Sequence, residues 1–528
     1  MPPPPPLHAR DVALRTSRAG LAVVAIAALW WTIDLAVLHG GAPHLADDHW
    51  EDHLVARELI AGHGFRSPLV YPPLWGLRDP ATLTIPVLVH GPLLPLLTAP
   101  ALGVLGPRAL DSVAAVAALC AVLALIPLFR LGTRHFGEPV GAAAALLFTL
   151  SPLTLEAVHH SGSVVLGACL LCGALDLALR ERPRPLLAGA LLGCGMLVRP
   201  EMLLAAPVVA LATTRATRSL GAAVRLLGAF AVVALPWWVH HARAAGSPFF
   251  NLTSYTLIGF WNGRPDVSVM QDFELPPARF AAALHAALPA LPAKWLAFFP
   301  HAAKNVLFTP SGGTGWLAPI GLASALFAGG PGSAARRRLA ACALALVLVP
   351  VASMTLTSYQ RLYLEPVAPL LALGAAAGMA RLALAMPRWA HRPRAWIGLL
   401  ALLIAPSCLP ALRGAAAQSA VLAQRLADER AALRTAFPAS RAPRMIFSDT
   451  PDFTAWTTGR PTAWVSRGEF ERLYEAGGPA AALGLPPPDR VAGWFHEDFR
   501  DPTSPGRAVW LGAAGDSAGS PTPGAGRE

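Results

Sequence analysis

Long apolar blocks constrain this chain more than any other feature. Residues 19–40 carry Asp34 as their only formal charge, a length sufficient to cross a hydrocarbon core of about 30 Å. Comparable blocks recur as far as about Arg413. Over 528 residues, 54% are hydrophobic and 14% charged, and the mean hydropathy is +0.48. A soluble chain of this length carries nearer a quarter charged residues, so a polytopic membrane protein is expected. The net charge of +11 does not point to nucleic acid. Its basic residues are nearly all Arg, sit in short clusters between apolar blocks, and form no basic face interleaved with aromatics.

Hydropathy and periodicity predict an all-α chain of about eleven spans, near 19–40, 110–130, 139–157, 163–180, 184–199, 202–214, 219–239, 314–330, 338–356, 365–385 and 395–412. The apolar segment Ile85–Leu105 contains Pro86, Pro92, Pro95 and Pro100. It reads as re-entrant or interfacial, since each proline removes a helix hydrogen bond. Arginine placement gives the orientation. Residues 1–18 form a cytoplasmic tail with Arg10, Arg15 and Arg18, and Arg-rich connections alternate after it: Arg130 and Arg134; Arg180, Arg182 and Arg184; Arg215 and Arg218; Arg336 to Arg338; Arg388, Arg392 and Arg394. The first block reads as a retained signal anchor. All six cysteines lie in apolar blocks, so Cys169-x-x-Cys172 reads as helix packing. Within the membrane domain, 19–413, residues 41–84 and 240–312 become outer loops. Beyond it, residues 414–514 are polar, with MIFSD and TAWVS as strands around a helical turn and RGEFERLYEAG as an amphipathic helix. That pattern predicts a small extracytoplasmic α/β domain, followed by a disordered tail over 515–528.

Candidate chemistry concentrates in the first outer loop, HLADDHWEDHLVARELIAGHGFRSPLVYPP. If the chain is helical from Asp48, Asp48 and Asp52 share a face one turn apart. A carboxylate there can serve as general base on an acceptor hydroxyl, and Asp47 is its neighbour. The competing reading is a solvated acidic helix. His49 and His53 have helical metal-ligand spacing, but H-W-E-D-H lacks the Glu that a zincin carries after its first His. No metal site is assigned; no cofactor is required, and a divalent cation is unsupported. Glu156, His159 and His160, then Arg199 and Glu201, then Arg361 and Glu365, occupy other predicted outer turns. Snorkelling explains most of these, but Arg199 and Arg361 stand where short outer turns otherwise avoid Arg. A guanidinium at that depth suits a lipid phosphate.

The order of these features resembles the GT-C glycosyltransferases, particularly bacterial members similar to protein O-mannosyltransferases and the aminoarabinose transferase of lipid A. DHWEDHLVARELIAGHGF matches the family's first-loop pattern, HGPLLPLL (90–97) its H-P-P-L-Y-P-L-L segment, and LYLEPVAPLLALGAA its R-Y-L-L-P-x-x-P. GMLVRPEMLL, LPWWVHHARAAGSPFF and SDTPDFTAWTTGRPTAWV follow in family order. The resemblance puts Asp48 on the catalytic Asp. It implies Asp47 and Asp52 beside it, and Arg361, Arg199, Glu156, His159, His90 and Tyr363 on the substrate side. It departs at His49 and Asp52, at Leu362 in the usual Arg position, and at HHSGSVV, where many relatives carry a second acid.

The resemblance implies an inner-membrane enzyme. It would move a sugar from a polyprenyl-phosphate donor to an acceptor hydroxyl on a glycan, lipid or protein, with inversion. One rival is a transporter or flippase, which predicts internal repeats and paired interrupted helices near the midplane; no convincing repeat is present, and the acidic residues lie toward the surface. The other is a scaffold serving its C-terminal domain, which is too small to justify so many spans. On the predicted topology, Ser67→Cys and Ser466→Cys should both react with a membrane-impermeant thiol reagent from outside intact cells. Labelling of either only after permeabilisation contradicts the orientation.

Overall fold

A computed structural model describes residues 18–38, 48–105, 110–259, 266–308, 315–330, 332–356, 361–385, 424–438, 443–475, 478–496 and 506–510. Asp47, Cys408, the predicted span at 395–412, the tail before Arg18 and the stretch from 515 lie outside the described residues. The apolar blocks are helical, as a bilayer demands of a backbone that must satisfy its own hydrogen bonds. In chain order they are α1 (Arg18–Leu38), α2 (Asp48–Ile60), α3 (Leu93–Leu105), α4 (Leu110–Phe136), α5 (Glu138–Thr149), α6 (Pro152–His160), α7 (Gly162–Ala178), α8 (Pro185–Met196), α9 (Met202–Thr217) and α10 (Leu220–Ala245). They continue with α11 (Pro277–Ala287), α12 (Leu291–Phe308), α13 (Leu317–Leu326), α14 (Ser333–Leu356) and α15 (Ala368–Ala385).

Among the described residues, four stretches are long and apolar enough to cross a membrane: Val113–Phe136, Leu220–Ala245, Pro277–Lys304 and Tyr363–Ala383. α5 and α6 make a fifth if their 48° bend, at Leu150 and Ser151 before Pro152, lies within one span. Several predicted spans are shorter helices. α8, with 12 residues, rises only about 18 Å at 1.5 Å per residue. Residues 240–312 differ from the loop expectation, since Pro277–Lys304 is helical and apolar and α12 packs on α14. The Ile85–Leu105 segment divides into a short strand and α3, which tolerates Pro100 inside it.

Small residues let the helices approach closely, as apolar solvent offers no hydrophobic drive between them. A Cβ on Gly189 of α8 would lie 2.0 Å from the Leu226 carbonyl oxygen of α10, and one on Gly321 of α13 would lie 1.9 Å from the Gly374 carbonyl oxygen of α15.

A second apolar core joins three segments remote in sequence. Leu54, Leu69, Leu74 and Ile85 from the first loop meet Leu252, Tyr255 and Phe273 from beyond α10, and Phe447, Ala463, Phe470 and Val491 from the C-terminal region. The strands are β1 (Arg66–Ser67), β2 (Leu69–Val70), β3 (Ile85–Pro86), β4 (Met445–Ser448), β5 (Thr462–Trp464), β6 (Val491–His496) and β7 (Gly506–Trp510). β1 and β3 pair antiparallel. The remaining five form one sheet ordered β2-β5-β4-β6-β7, parallel except for β6-β7. A helix over 424–436, α16, precedes β4; α17 (Pro451–Thr458) and α18 (Arg467–Tyr474) follow β4 and β5. The sheet is thus not closed within 414–514, because its edge strand comes from the first loop. Ser67 is buried there, so the labelling test moves to His63→Cys, an exposed position, alongside Ser466.

The His496 imidazole ties α16 to the sheet. It contacts Asp449 Oδ1 through Nδ1 at 3.0 Å and Glu429 Oε1 through Nε2 at 2.9 Å, while Trp494 Nε1 donates to Glu429 at 2.6 Å. Burial alone would lower the His496 pKa, but hydrogen bonds and charge from Asp449 and Glu429 outweigh it and raise the value from 6.5 to about 9. Its contribution is therefore complete below 6.5 and lost as pH rises through about 9. Burial would raise Glu429, but the bonds from His496, Trp494 and the Gly506 backbone hold it below its ordinary 4.5, so its contribution fails only in more acidic solution. Thermal melting followed by tryptophan fluorescence should show the C-terminal sheet losing stability across the alkaline window, and His496→Gln should flatten that loss. An unchanged slope in the variant removes His496 from this role.

Candidate functional site

The acidic helix α2 is not solvated. Trp50, Glu51, Asp52, His53, Leu54, Val55 and Ala56 are all buried. Its outer face is covered by α17: Trp456 stands edge-on to His53 at 5.6 Å, tilted against Trp50 at 5.9 Å, and beneath the Arg57 guanidinium at 5.5 Å. Burying carboxylates is costly unless they are hydrogen-bonded. Glu51 meets that requirement with two contacts on one oxygen: the Tyr71 hydroxyl donates to Oε2 at 2.9 Å, and His90 Nε2 lies 3.1 Å from it. Tyr71 is itself steadied edge-to-face by Trp464 of β5 at 5.9 Å.

His90 and Gly91 lead from this cluster to a second one. The Leu93 amide donates to the Leu197 carbonyl at 3.0 Å, and a Cβ on Gly91 would stand 2.0 Å from that same oxygen. Glycine is what allows the two backbones to meet. Two residues after Leu197, Arg199 is 7% exposed. Its guanidinium donates to Ser163 Oγ at 3.3 Å and Glu201 Oε1 at 3.2 Å, and lies 4.8 Å over the Tyr363 ring. Arg199, Glu201 and Tyr363 line one side of a small pocket between α7, α9, α14 and the turn before α15, whose other walls include Leu171, Met202, Ala205, Leu346, Pro350 and Val367. The pocket's lining is thus apolar apart from the Arg199–Glu201 pair and the Tyr363 ring.

Of the residues singled out from sequence, Arg199 and Tyr363 come together at this pocket, while Asp52 lies on α2 with Glu51. Asp48 opens α2 and Arg361 opens the 3-10 helix Arg361–Val367, but their side chains lie outside the described residues, as does all of Asp47. Glu156 and His159 are on α6, which packs against that 3-10 helix and against α4 and α7. Glu365, expected to reach water, is fully buried, with the Thr154 hydroxyl set against its carboxylate. Among those residues no group of three or more His, Cys, Asp or Glu is placed to hold a metal ion.

Sequence reasoning missed Glu51 and Tyr71. Glu51 was legible: three residues after Asp48, it shares the helix face that selected Asp52. Tyr71 carried no local signal, because its contact with Glu51 depends on how the loop folds back.

Residues 89–240 match a family described as dolichyl-phosphate-mannose-protein mannosyltransferase. No curated protein matches the chain. Among solved structures, the chain is similar to the apo oligosaccharyltransferase of Archaeoglobus fulgidus at 14% identity and a TM-score of 0.59, over 91% of this chain and 69% of that one. The Archaeoglobus fulgidus oligosaccharyltransferase AglB in complex with an inhibitory peptide and a dolichol-phosphate gives 14% identity, a TM-score of 0.58, and 91% and 69% coverage. ArnT of Cupriavidus metallidurans bound to undecaprenyl phosphate gives 17% identity and a TM-score of 0.52, covering 91% of this chain and 94% of its own.

The His90–Gly91 approach yields a direct test. Gly91→Ala forces backbone against backbone, and overpacking of this kind typically costs about 1–3 kcal/mol. Its melting temperature should fall, whereas Gly103→Ala, with nothing within 4 Å of the added carbon, should melt like the unsubstituted protein. Equal melting of the two variants contradicts the close approach.

Proposed function

With the fold of the GT-C membrane glycosyltransferases as premise, we propose that this protein transfers a sugar from a polyprenyl-phosphate donor to an acceptor hydroxyl, with inversion, at the extracytoplasmic face of the membrane. The observation that carries the reading is the buried Arg199 guanidinium heading an apolar pocket. A guanidinium binds phosphate oxygens in a planar fork, and the pocket's apolar wall suits the first prenyl units. Two of the similar proteins were captured with dolichol-phosphate and with undecaprenyl phosphate, which supports the same donor class here. Arg361, on the 3-10 helix that carries Tyr363, supplies a second charge to the phosphate.

Asp48 engages the acceptor hydroxyl, deprotonating or orienting it, with Asp52 one turn behind. The hydroxyl oxygen attacks the anomeric carbon from the face opposite the phosphate, and the carbon–phosphate oxygen bond breaks with its electron pair moving to the leaving phosphate. Arg199 and Arg361 stabilise that charge. Holding donor and acceptor together supplies much of the remaining acceleration. His90, Glu156 and His159 complete the substrate side. The eleven-span topology, with residues 41–84 and 414–514 outside an inner membrane, is supported by the alternation of Arg-rich connections.

Side-by-side turnover of Asp48→Asn and Asp47→Asn at matched expression tests the base. Asp48→Asn should fall by about 10²–10⁴-fold, as is typical on loss of a general base; Asp47→Asn should change little. The reverse pattern shifts the assignment by one residue, and full activity in both variants removes the first-loop acids from catalysis. Arg361→Ala should weaken donor use by the about 1.5–3 kcal/mol of a charge-assisted contact, with partial recovery in Arg361→Lys. Unchanged donor dependence transfers the phosphate contact to Arg199 alone.

A further inference from the structure

The end of the bundle where α4 meets α7 and α14 carries more positive charge than its acids balance. Asp176 of α7 is buried and accepts from two arginines, Arg134 Nη2 on Oδ1 at 2.9 Å and Arg180 Nη2 on Oδ2 at 2.5 Å. One carboxylate is thus shared by two guanidinium groups. Arg336 and Arg338, near the start of α14, bring further charge beside the His135 imidazole of α4. α14 brings no acid with it. Between Glu274 and Asp428 the only acid in the sequence is Glu365, which belongs to the 3-10 helix that lines the Arg199 pocket. Glu138 and Glu181, the nearest others in sequence, are exposed.

Arginine at the cytoplasmic end of a bundle is expected of any multi-span protein, with its guanidinium groups turned to water. The donors here are placed differently. His135 is 9% exposed, and its Nε2 is buried without a hydrogen-bond partner among the described residues, as is Arg180 Nε. Arg180 Nε can only donate, so what this end lacks is an acceptor with negative charge. Leaving such groups buried and unmatched is costly. The α4 surface leading to them is apolar. Leu119, Leu123 and Ile126 are exposed, and Arg130 and Arg134 follow them at the same three- and four-residue spacing, on one helix face.

We propose that this end of the bundle binds an acidic phospholipid, drawn from the leaflet that the arginine alternation makes cytoplasmic. The lipid phosphate sits among Arg134, Arg180, Arg338 and His135 and accepts the hydrogen bonds that Arg180 Nε and His135 Nε2 otherwise lack. An acyl chain lies along Leu119, Leu123 and Ile126. That apolar face favours a lipid over a free phosphate, which has no contact to make with it. The lipid supplies the missing counter-charge and so fastens α14 to α4 and α7. No residue of this site lines the Arg199 pocket, and the inference does not depend on glycosyl transfer.

The test places the full chain in nanodiscs of phosphatidylcholine alone and of phosphatidylcholine mixed with phosphatidylglycerol. Phosphatidylglycerol should raise the melting temperature, as any ligand of the folded state does. Native mass spectrometry should find it retained on the chain in preference to phosphatidylcholine. Arg130→Gln combined with Arg338→Gln leaves both Asp176 pairs in place and should lose most of the rise and of the retained lipid. Arg182→Gln, which removes an exposed arginine of the next connection, should keep both. Selective retention by the unsubstituted protein stands alone if the double variant does not fold. Equal loss in Arg182→Gln shows diffuse charge and overturns the site. The same rise from inorganic phosphate in phosphatidylcholine nanodiscs overturns the lipid assignment, and no rise with no selective retention overturns the proposal entirely.

Discussion

The parallel pairing of Leu69 and Val70 with Thr462 and Ala463 is the contact on which the site depends. Two residues of strand hold little by themselves, since isolated short pairings are marginal in water. Here the pairing is reinforced along its length. Trp75 Nε1 donates to the Leu483 carbonyl at 2.8 Å, Arg78 to the Gly484 carbonyl at 2.8 Å, and Arg444 to the Pro80 carbonyl at 2.7 Å. Apolar side chains from both partners fill one core beneath these bonds. The first loop therefore cannot move independently of the C-terminal sheet. Its helix α2 is held with the acidic face turned into protein.

That burial makes the chemistry plausible on energetic grounds. In a site shielded from water, charge–charge and charge–dipole interactions are stronger than in bulk solvent. Each buried charge must then be matched: Glu51 by Tyr71 and His90, Arg199 by Glu201, Ser163 and the Tyr363 face. Glu365 is the contrast. It is fully buried, with the Thr154 hydroxyl set against its carboxylate.

How far the sequence could be read follows from which forces are local. Helices in the apolar blocks were legible, because the bilayer's demand on backbone hydrogen bonds acts on any stretch of sufficient length. Their lengths were less so: α8 ends at Met196 before Arg199-Pro200, and α5 breaks before Pro152, where packing and proline shorten a continuous apolar run. MIFS and TAW were legible as short strands on either side of a helical turn in a region rich in turn residues. The strand Leu69–Val70 was not, since a two-residue strand has no period and exists only because β5 is beside it. In the site, Arg199 stood out by violating the charge pattern of short turns. The Glu51–Tyr71–His90 cluster joins residues 51, 71 and 90 through loop geometry, which no local pattern encodes.

The most direct measurement presents the purified protein with a panel of polyprenyl-phosphate sugars and candidate acceptors and quantifies free polyprenyl phosphate together with the anomeric configuration of the product. The account predicts that at least one donor yields equimolar lipid phosphate and glycosylated acceptor, with the anomeric configuration inverted. Product with retained configuration contradicts direct displacement by the acceptor. No lipid phosphate from any donor contradicts glycosyl transfer itself.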